Sequence, residues 1–371
     1  MLRSGSLKEK VEKISDHTDQ LDRLIAKRSR SEAVPIRQAR SKPKELFLRS
    51  LKEIETDACR LHRAFANVWA CSEHQSHCIN LRLEPRLRGV DKGDKEKHDQ
   101  ASFAVGFAAS QVWRALEINV AEEATNRLNQ TVSFHGVPSA STETALSDLV
   151  VIEDLCQRAS AAGLTLCLDH HDRLLGHCSS SSTATRTDPS KCTTVTLREL
   201  LIPSKVSEIS PKQSMELALT LVSSFLQLHS TPWLRDLWCA RDVILLRSDE
   251  KLDVDHPFIS QSYPLTSSNK TLEDSERIFA LGIILLQIIT HTPIEDQRSA
   301  ADMVREDPYI VRTLIKSDSR IWLNCFADAI KACSSLYYGG FDLDLTEPDT
   351  RMEVIEKVLV PFQRDLGLVQ G

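Results

Sequence analysis

The stretch SFLQLHSTPWLRDLWCARDVILL, Ser224 to Leu246, decides how the rest of this chain is read. It starts as an apolar helical pattern that ends in Leu228-His229. A short linker with Pro232 follows, then Arg235-Asp236, then the strand-like run Val243–Leu246. Helix, loop and strand therefore come in that order, with Asp236 and Asp242 on the loop. Immediately upstream, Ser210 is placed to cap a helix and Pro211 to occupy its first position. The stripe Leu217, Leu221, Phe225 and Leu228 gives that helix a buried face. Downstream, EDSERIFALGIILLQIIT and IWLNCFADAIKACSSLY predict two more helices, and TRMEVIEKVLVPFQRDL closes the helical part. The apolar run Ile278–Thr290 is 13 residues long, too short to span a bilayer, and predicts a buried helix.

The first half is organised differently. Leu7, Val11, Ile14, Thr18, Leu21 and Ile25 form a heptad-like stripe, and Phe47, Leu51, Ile54, Ala58, Leu61, Phe65 and Val68 form a second. Two such stripes bury against each other as a hairpin, or against another chain as a coiled coil. His77–Leu83 alternates as a strand, with Ile79, Leu81 and Leu83 on one face. ASFAVGFAAS and VWRALEINV predict further strands, and Ala145–Ser160 has a helical apolar pattern. LTLCLD reads as a buried strand, DHHD (Asp169–Asp172) as a surface turn after it, and GHCSSSSTATRTDPSKC as a low-complexity insertion. Strands first and helices later define an α+β chain.

The 371 residues are 41% hydrophobic and 26% charged, the composition of a globular protein with polar insertions. The net charge of −6 is uneven: residues 1–50 carry 13 Lys/Arg against 7 Asp/Glu, a net of +6, which leaves −12 for the rest. A basic arm on an acidic body suits a membrane surface or an acidic partner, although its interleaved acids also fit the solvated face of a helical hairpin. The ten cysteines show no framework spacing and sit mostly in apolar patterns, as reduced thiols of a cytoplasmic protein do. MLRSGSLKEKVEK has no apolar core and no secretory character.

Taken in order, LTLVSSFLQLHS, LRDLWCARDVILL and DSERIFALGIILLQII resemble the C-terminal lobe of a protein kinase: the helix leading to the catalytic loop, the loop with its strand, and the buried central helix. VWACSEHQSHCINLRL, IEDLCQ, LALTLVSSFLQLHSTPWL and ERIFALGIILLQII are similar to the recurring features of a fungal family of unknown function. That family has a degenerate kinase-like fold and often lies beside prion-inhibition and cell-death-inducing helical domains. The resemblance covers roughly residues 40–365 and implies a two-lobed kinase-like fold without catalysis.

The residues that kinase chemistry needs are not in their places. No Gly-x-Gly occurs, so the loop that covers the phosphates is missing. No glycine lies between Gly176 and Gly282, so Asp253 and Asp255 are not followed by the glycine of a metal-binding Asp-Phe-Gly. The strands carry Arg82, Arg114 and Glu117 but no lysine, and Glu143 or Glu153 has no nameable partner. Leu234 stands where a kinase has His before Arg-Asp, and Asp242 comes six residues after Asp236 where an Asn would come five after. Asp236 and Asp242 are thus relics, and Trp233 and Trp238 are expected to pack in place of an ionic scaffold. No cofactor is expected. Cys71, His74, His77 and Cys78 lie within eight residues and form the candidate metal set. The helix end passes into a strand there, which scatters side chains, so no metal is assigned.

The sequence therefore leads to an α+β, two-lobed, degenerate kinase-like fold with an N-terminal α-helical hairpin. Residues 1–75 are the hairpin or coiled coil, 76–200 a small mixed α/β part with insertions, and 201–371 a mainly helical part. The expected function is a catalytically inactive protein-interaction or regulatory module with a protein partner and no nucleic acid. Two alternatives stay open: an atypical ATP-dependent phosphotransferase using Asp236, and an oligomerising or membrane-associating device built on the basic N-terminal helices.

Overall fold

The computed structural model describes residues 42–71, 74, 76–86, 102–109, 112–120, 149–158, 164–178, 192–202, 209–234, 238–248, 251–263, 272–297, 310–311, 313–314, 324–339 and 343–368. The first heptad stripe, the insertion 179–191 and Asp236 lie outside these residues. The chain divides into two compact units, 1–46 and 47–371, and the sheet and the core belong to the second.

Helix α1 (Lys42–Ala66) is followed by β1 (His77–Arg82), β2 (Ser102–Ala109), β3 (Val112–Val120) and β4 (Val150–Val151). Then come α2 (Leu155–Arg158), β5 (Leu164–Leu168), β6 (Leu174–Cys178), β7 (Cys192–Thr196), α3 (Leu197–Leu200) and α4 (Pro211–Leu228). The chain continues through β8 (Val243–Ser248), β9 (Lys251–Tyr263), α5 (Asp274–Thr290), α6 (Asn324–Tyr338), α7 (Pro348–Val354), a π turn at Ile355–Leu359 and α8 (Val360–Asp365). The architecture is mixed α and β around one nine-stranded sheet, in the order β4-β6-β5-β3-β2-β1-β9-β8-β7. Every neighbouring pair is antiparallel except β3 with β5, which is parallel and therefore needs a crossover connection.

Alternation in the sequence sets the register. Ile79, Leu81 and Leu83 point into the core as their spacing predicts, while Asn80, on the other face, is also buried and donates from Nδ2 to the Gly106 carbonyl. β2 and β3 form a hairpin that closes with Ala109 opposite Val112. The helix expected over Ala145–Ser160 is corrected. Val150 and Val151 form an edge strand against Gly176 and Leu175, and among the described residues of this stretch only Leu155–Arg158 are helical. The β-branched run Val150-Val151-Ile152 favours extended backbone, and Asp154 then accepts the Gln157 N–H to start the short helix.

β9 is the long member of the sheet. It lies between β8 and β1: Lys251–Asp253 and Phe258–Ile259 pair with β8, and Phe258–Tyr263 pair on the other edge with β1 over Arg82–His77. The pairing with β8 is interrupted between Ile244 and Leu246 by a bulge that contains Pro257. Proline has no N–H for the ladder, so a bulge is where a strand tolerates it. The Pro257 carbonyl still accepts the Leu83 N–H at 2.7 Å, which extends the β1 pairing by one residue.

The second apolar stripe, on α1, joins this core. Leu51, Ala58, Leu61, Phe65 and Val68 are buried, and Phe47 packs on them. Phe65 meets Trp233 edge-on, and both Phe65 and Trp69 lie against Tyr263 at the end of β9. α4 begins with Ser210 as its cap and Pro211 at its first position, as predicted, and the cap is a full capping box: the Ser210 side chain accepts the Gln213 N–H and Gln213 accepts the Ser210 N–H. α5 is buried nearly all round, as a helix apolar on every side must be. Near the C-terminus, Pro361 cannot donate to the fourth carbonyl back, and the helix widens into the π turn just before it, with the Val360 N–H reaching Ile355. Among the described residues no helix is long and apolar enough to cross a membrane.

α5 and α6 cross at Gly282, where a Cβ would come within 2.9 Å of the Cys333 Cβ. That neighbour is anchored to the α6 backbone and cannot rotate away. Gly282→Ala gains about 1 kcal/mol of helix propensity, but overpacking costs about 1–3 kcal/mol. Urea denaturation should show a net loss of stability for Ala and a larger one for Gly282→Val; an unchanged or raised midpoint for Val would remove the close crossing.

Candidate functional site

His229, the histidine that ends the helical part of the decisive stretch, caps α4 and is almost completely buried. Its Nε2 lies 2.6 Å from Nη2 of Arg351 on α7. A guanidinium can only donate, so Nε2 is the acceptor and the ring proton is on Nδ1. The same Arg351 nitrogen bonds Glu55 on α1 at 2.9 Å, and Arg277 on α5 donates to the His229 carbonyl. Asp274, at the start of α5, accepts the Leu345 N–H ahead of α7. One polar junction thus ties α1, α4, α5 and α7 together. Burial, with the positive charges of Arg351 and Arg277, pushes the His229 pKa down to about 3.

The described residues of the loop after α4 are engaged in packing. Trp233 is buried and donates from Nε1 to the Ala58 carbonyl of α1 at 2.9 Å, while Trp238 lies against Phe225. Asp242 closes a turn by accepting the Cys239 N–H at 2.7 Å. On β9, Asp253 accepts the backbone N–H groups of Asp255 and His256 and pairs with the His256 ring at 3.0 Å. Arg82, the strand residue noted in place of a lysine, pairs with Glu84, and Glu153 is exposed on a bend.

The four candidate metal residues part company. His77, at the start of β1, stacks flat on Trp69 with ring centroids 4.3 Å apart. Cys78 points the other way, toward the Ser260 hydroxyl at 2.7 Å. Cys71 and His74 stay together and are joined by Cys156 of α2. His74 Nδ1 lies 3.3 Å from the Cys71 sulfur and 3.5 Å from that of Cys156, and the three donor atoms lie within 4.8 Å of one another. Cys71, Cys78 and Cys156 form no disulfide. Sequence spacing could not supply Cys156, because the Ala145–Ser160 pattern read as one long helix.

The DHHD turn is more than surface. Asp169 is buried and accepts the N–H groups of His171 and Arg173 and the Arg173 side chain. Burial alone would raise its pKa, but these hydrogen bonds outweigh it and hold the carboxyl below its usual range. Asp172 adopts a left-handed backbone and pairs with both Arg60 and Arg63 of α1. A groove of about 850 Å³ runs past Arg82, Glu84, Arg86, Lys212, Glu216 and His256, with both signs of charge along it.

The junction has a pH signature. His229 is held neutral when folded but takes a proton near pH 6.5 when unfolded, so the unfolded chain binds more protons below that value. Its contribution is complete above about pH 6.5 and is lost toward pH 3, at up to ~1.4 kcal/mol per pH unit. His229→Gln keeps an acceptor for Arg351 without the titration. Unfolding free energies at successive pH values should fall less steeply for this variant; parallel curves would show that His229 is not held neutral. Arg351→Ala, which strands Glu55 beside a buried polar gap, should cost on the order of 3 kcal/mol, read in the same denaturation experiment.

A search of curated proteins found no match. The family model described as a domain of unknown function (DUF7580) matches residues 49–367, from the second turn of α1 to the turn after α8. The match takes in the whole sheet, the His229 junction and the Cys71, His74 and Cys156 group, and this chain belongs to the DUF7580 family.

Proposed function

We propose that this chain is a non-catalytic interaction module on a degenerate, two-lobed protein-kinase-like scaffold. The order of α4, the tryptophan-bearing loop, the β8–β9 hairpin and the buried α5 supports the kinase-like part of this reading. The observation that carries the non-catalytic part is the course of β9. Where a kinase turns into its metal-binding loop after this hairpin, the chain here stays extended and joins β1 over six residue pairs. Phosphoryl transfer depends on a cradle for phosphates and on carboxylates free to hold metal ions. Asp253 is occupied by local backbone groups and His256, and Asp242 by the Cys239 N–H. The tryptophans fill space that an ionic active loop would need. A polar groove bearing Arg82, Lys212, Glu84 and Glu216 offers a protein partner charged contacts of both signs.

A ligand that binds only the folded state raises its stability, by about 2.7 kcal/mol at a hundredfold excess over Kd. Mg-ATP at millimolar concentration should therefore leave the melting temperature unchanged. A saturable rise that disappears on removing magnesium would falsify the non-catalytic reading, and labelled phosphate transfer that Asp236→Asn abolishes at unchanged thermal stability would favour the phosphotransferase alternative.

A further inference from the structure

Two segments far apart in sequence meet beyond the end of α1. The chain leaving α1 forms an antiparallel bridge between Trp69 and Asp154, and Val68 accepts the Leu155 N–H at 2.9 Å. These backbone bonds bring Cys71 and His74 against Cys156 without help from the three side chains themselves. Both sulfurs then converge on a single atom, His74 Nδ1, at 3.3 and 3.5 Å.

Those separations match a coordination edge. Tetrahedral zinc with Zn–S near 2.3 Å and Zn–N near 2.0–2.1 Å sets sulfur and nitrogen about 3.6 Å apart. Two thiolates and an imidazole form a soft donor set that favours zinc over magnesium or calcium. Cys71 and Cys156 are half-buried and His74 is exposed, so the group is reachable from solvent. The neighbouring His77 ring is held flat on Trp69 and meets the His74 ring edge-on, with centroids 5.5 Å apart.

We propose that Cys71, His74 and Cys156 form a binding site for a zinc-class divalent cation, with three protein ligands and a fourth position open to water. On binding, each thiol releases its proton to solvent as its sulfur bonds to the metal, and no electrons are exchanged. The cation then clasps the end of α1 to the segment that opens α2. This assignment is independent of whether the kinase-like scaffold binds nucleotide.

The test uses the full chain, reduced, stripped with chelator and then titrated with zinc or cobalt(II). One cation should bind per chain, zinc should raise the melting temperature, and cobalt should produce a thiolate-to-metal charge-transfer band. Cys71→Ser, Cys156→Ser and His74→Ala should each weaken binding at least ~100-fold, more than the loss of an outer-shell partner. Cys78→Ser should bind as the unaltered chain does. Stripped and loaded unaltered protein, compared directly, gives the stability readout even if a variant folds poorly. The proposal is overturned if the reduced chain takes up no zinc, if Cys156→Ser binds undiminished, or if the sulfurs of Cys71 and Cys156 prove to be disulfide-linked in a chain that takes no metal once reduced.

Discussion

The backbone of β9 has to satisfy its hydrogen-bonding groups against two different strands, β8 along one edge and β1 along the other. An unpaired buried amide or carbonyl costs as much as a lost hydrogen bond, so this strand cannot swing away from one partner without penalty. That requirement makes one sheet of two sequence-distant groups of strands. The bulge that holds Pro257 is the local adjustment that lets β8 pair with β9 on both sides of it. Tyr263, at the far end of the same strand, receives His62, Phe65 and Trp69, so the sheet also fixes where α1 lies.

The His229 junction is the polar counterpart of that apolar contact. Arg351 reaches a carboxylate on α1 and an imidazole at the end of α4 with the same nitrogen, deep in the protein. A buried cation is tolerable only where such partners surround it. Replacing all three by packed apolar groups could leave stability unchanged, so the cluster is better understood as fixing the arrangement of four helices than as strengthening it.

How much of this was legible in the sequence depended on the range of the interaction. α4 could be read almost to the residue, because Ser210 and Pro211 are local signals that act within one turn. The strand Ile79, Leu81 and Leu83 and the stripe on α1 were equally plain, since burial imposes their periods. The Ala145–Ser160 segment misled because Leu149, Val150, Ile152 and Leu155 fit a helical stripe, and only the pairing of Val150 and Val151 with Gly176 and Leu175 reveals an edge strand there. Partnerships such as Arg351 with Glu55, Asp172 with Arg60, and Cys156 with His74 join residues that no spacing connects. Cys71, His74, His77 and Cys78 looked like one cluster in the chain, yet the strand at His77 turns alternate side chains to opposite faces and takes Cys78 out of it.

α1 ends before the first strand, and a reader of the sequence alone would find the break between them a convenient place to shorten the chain for expression. A fragment beginning at the sheet would leave the Trp233 indole without its carbonyl acceptor and open the Tyr263 surface to water. It would behave less like a trimmed domain than like a fruit cut through the stone, with sticky interior faces that drive self-association. Laboratory versions of this protein should therefore keep the helix, whatever else is removed.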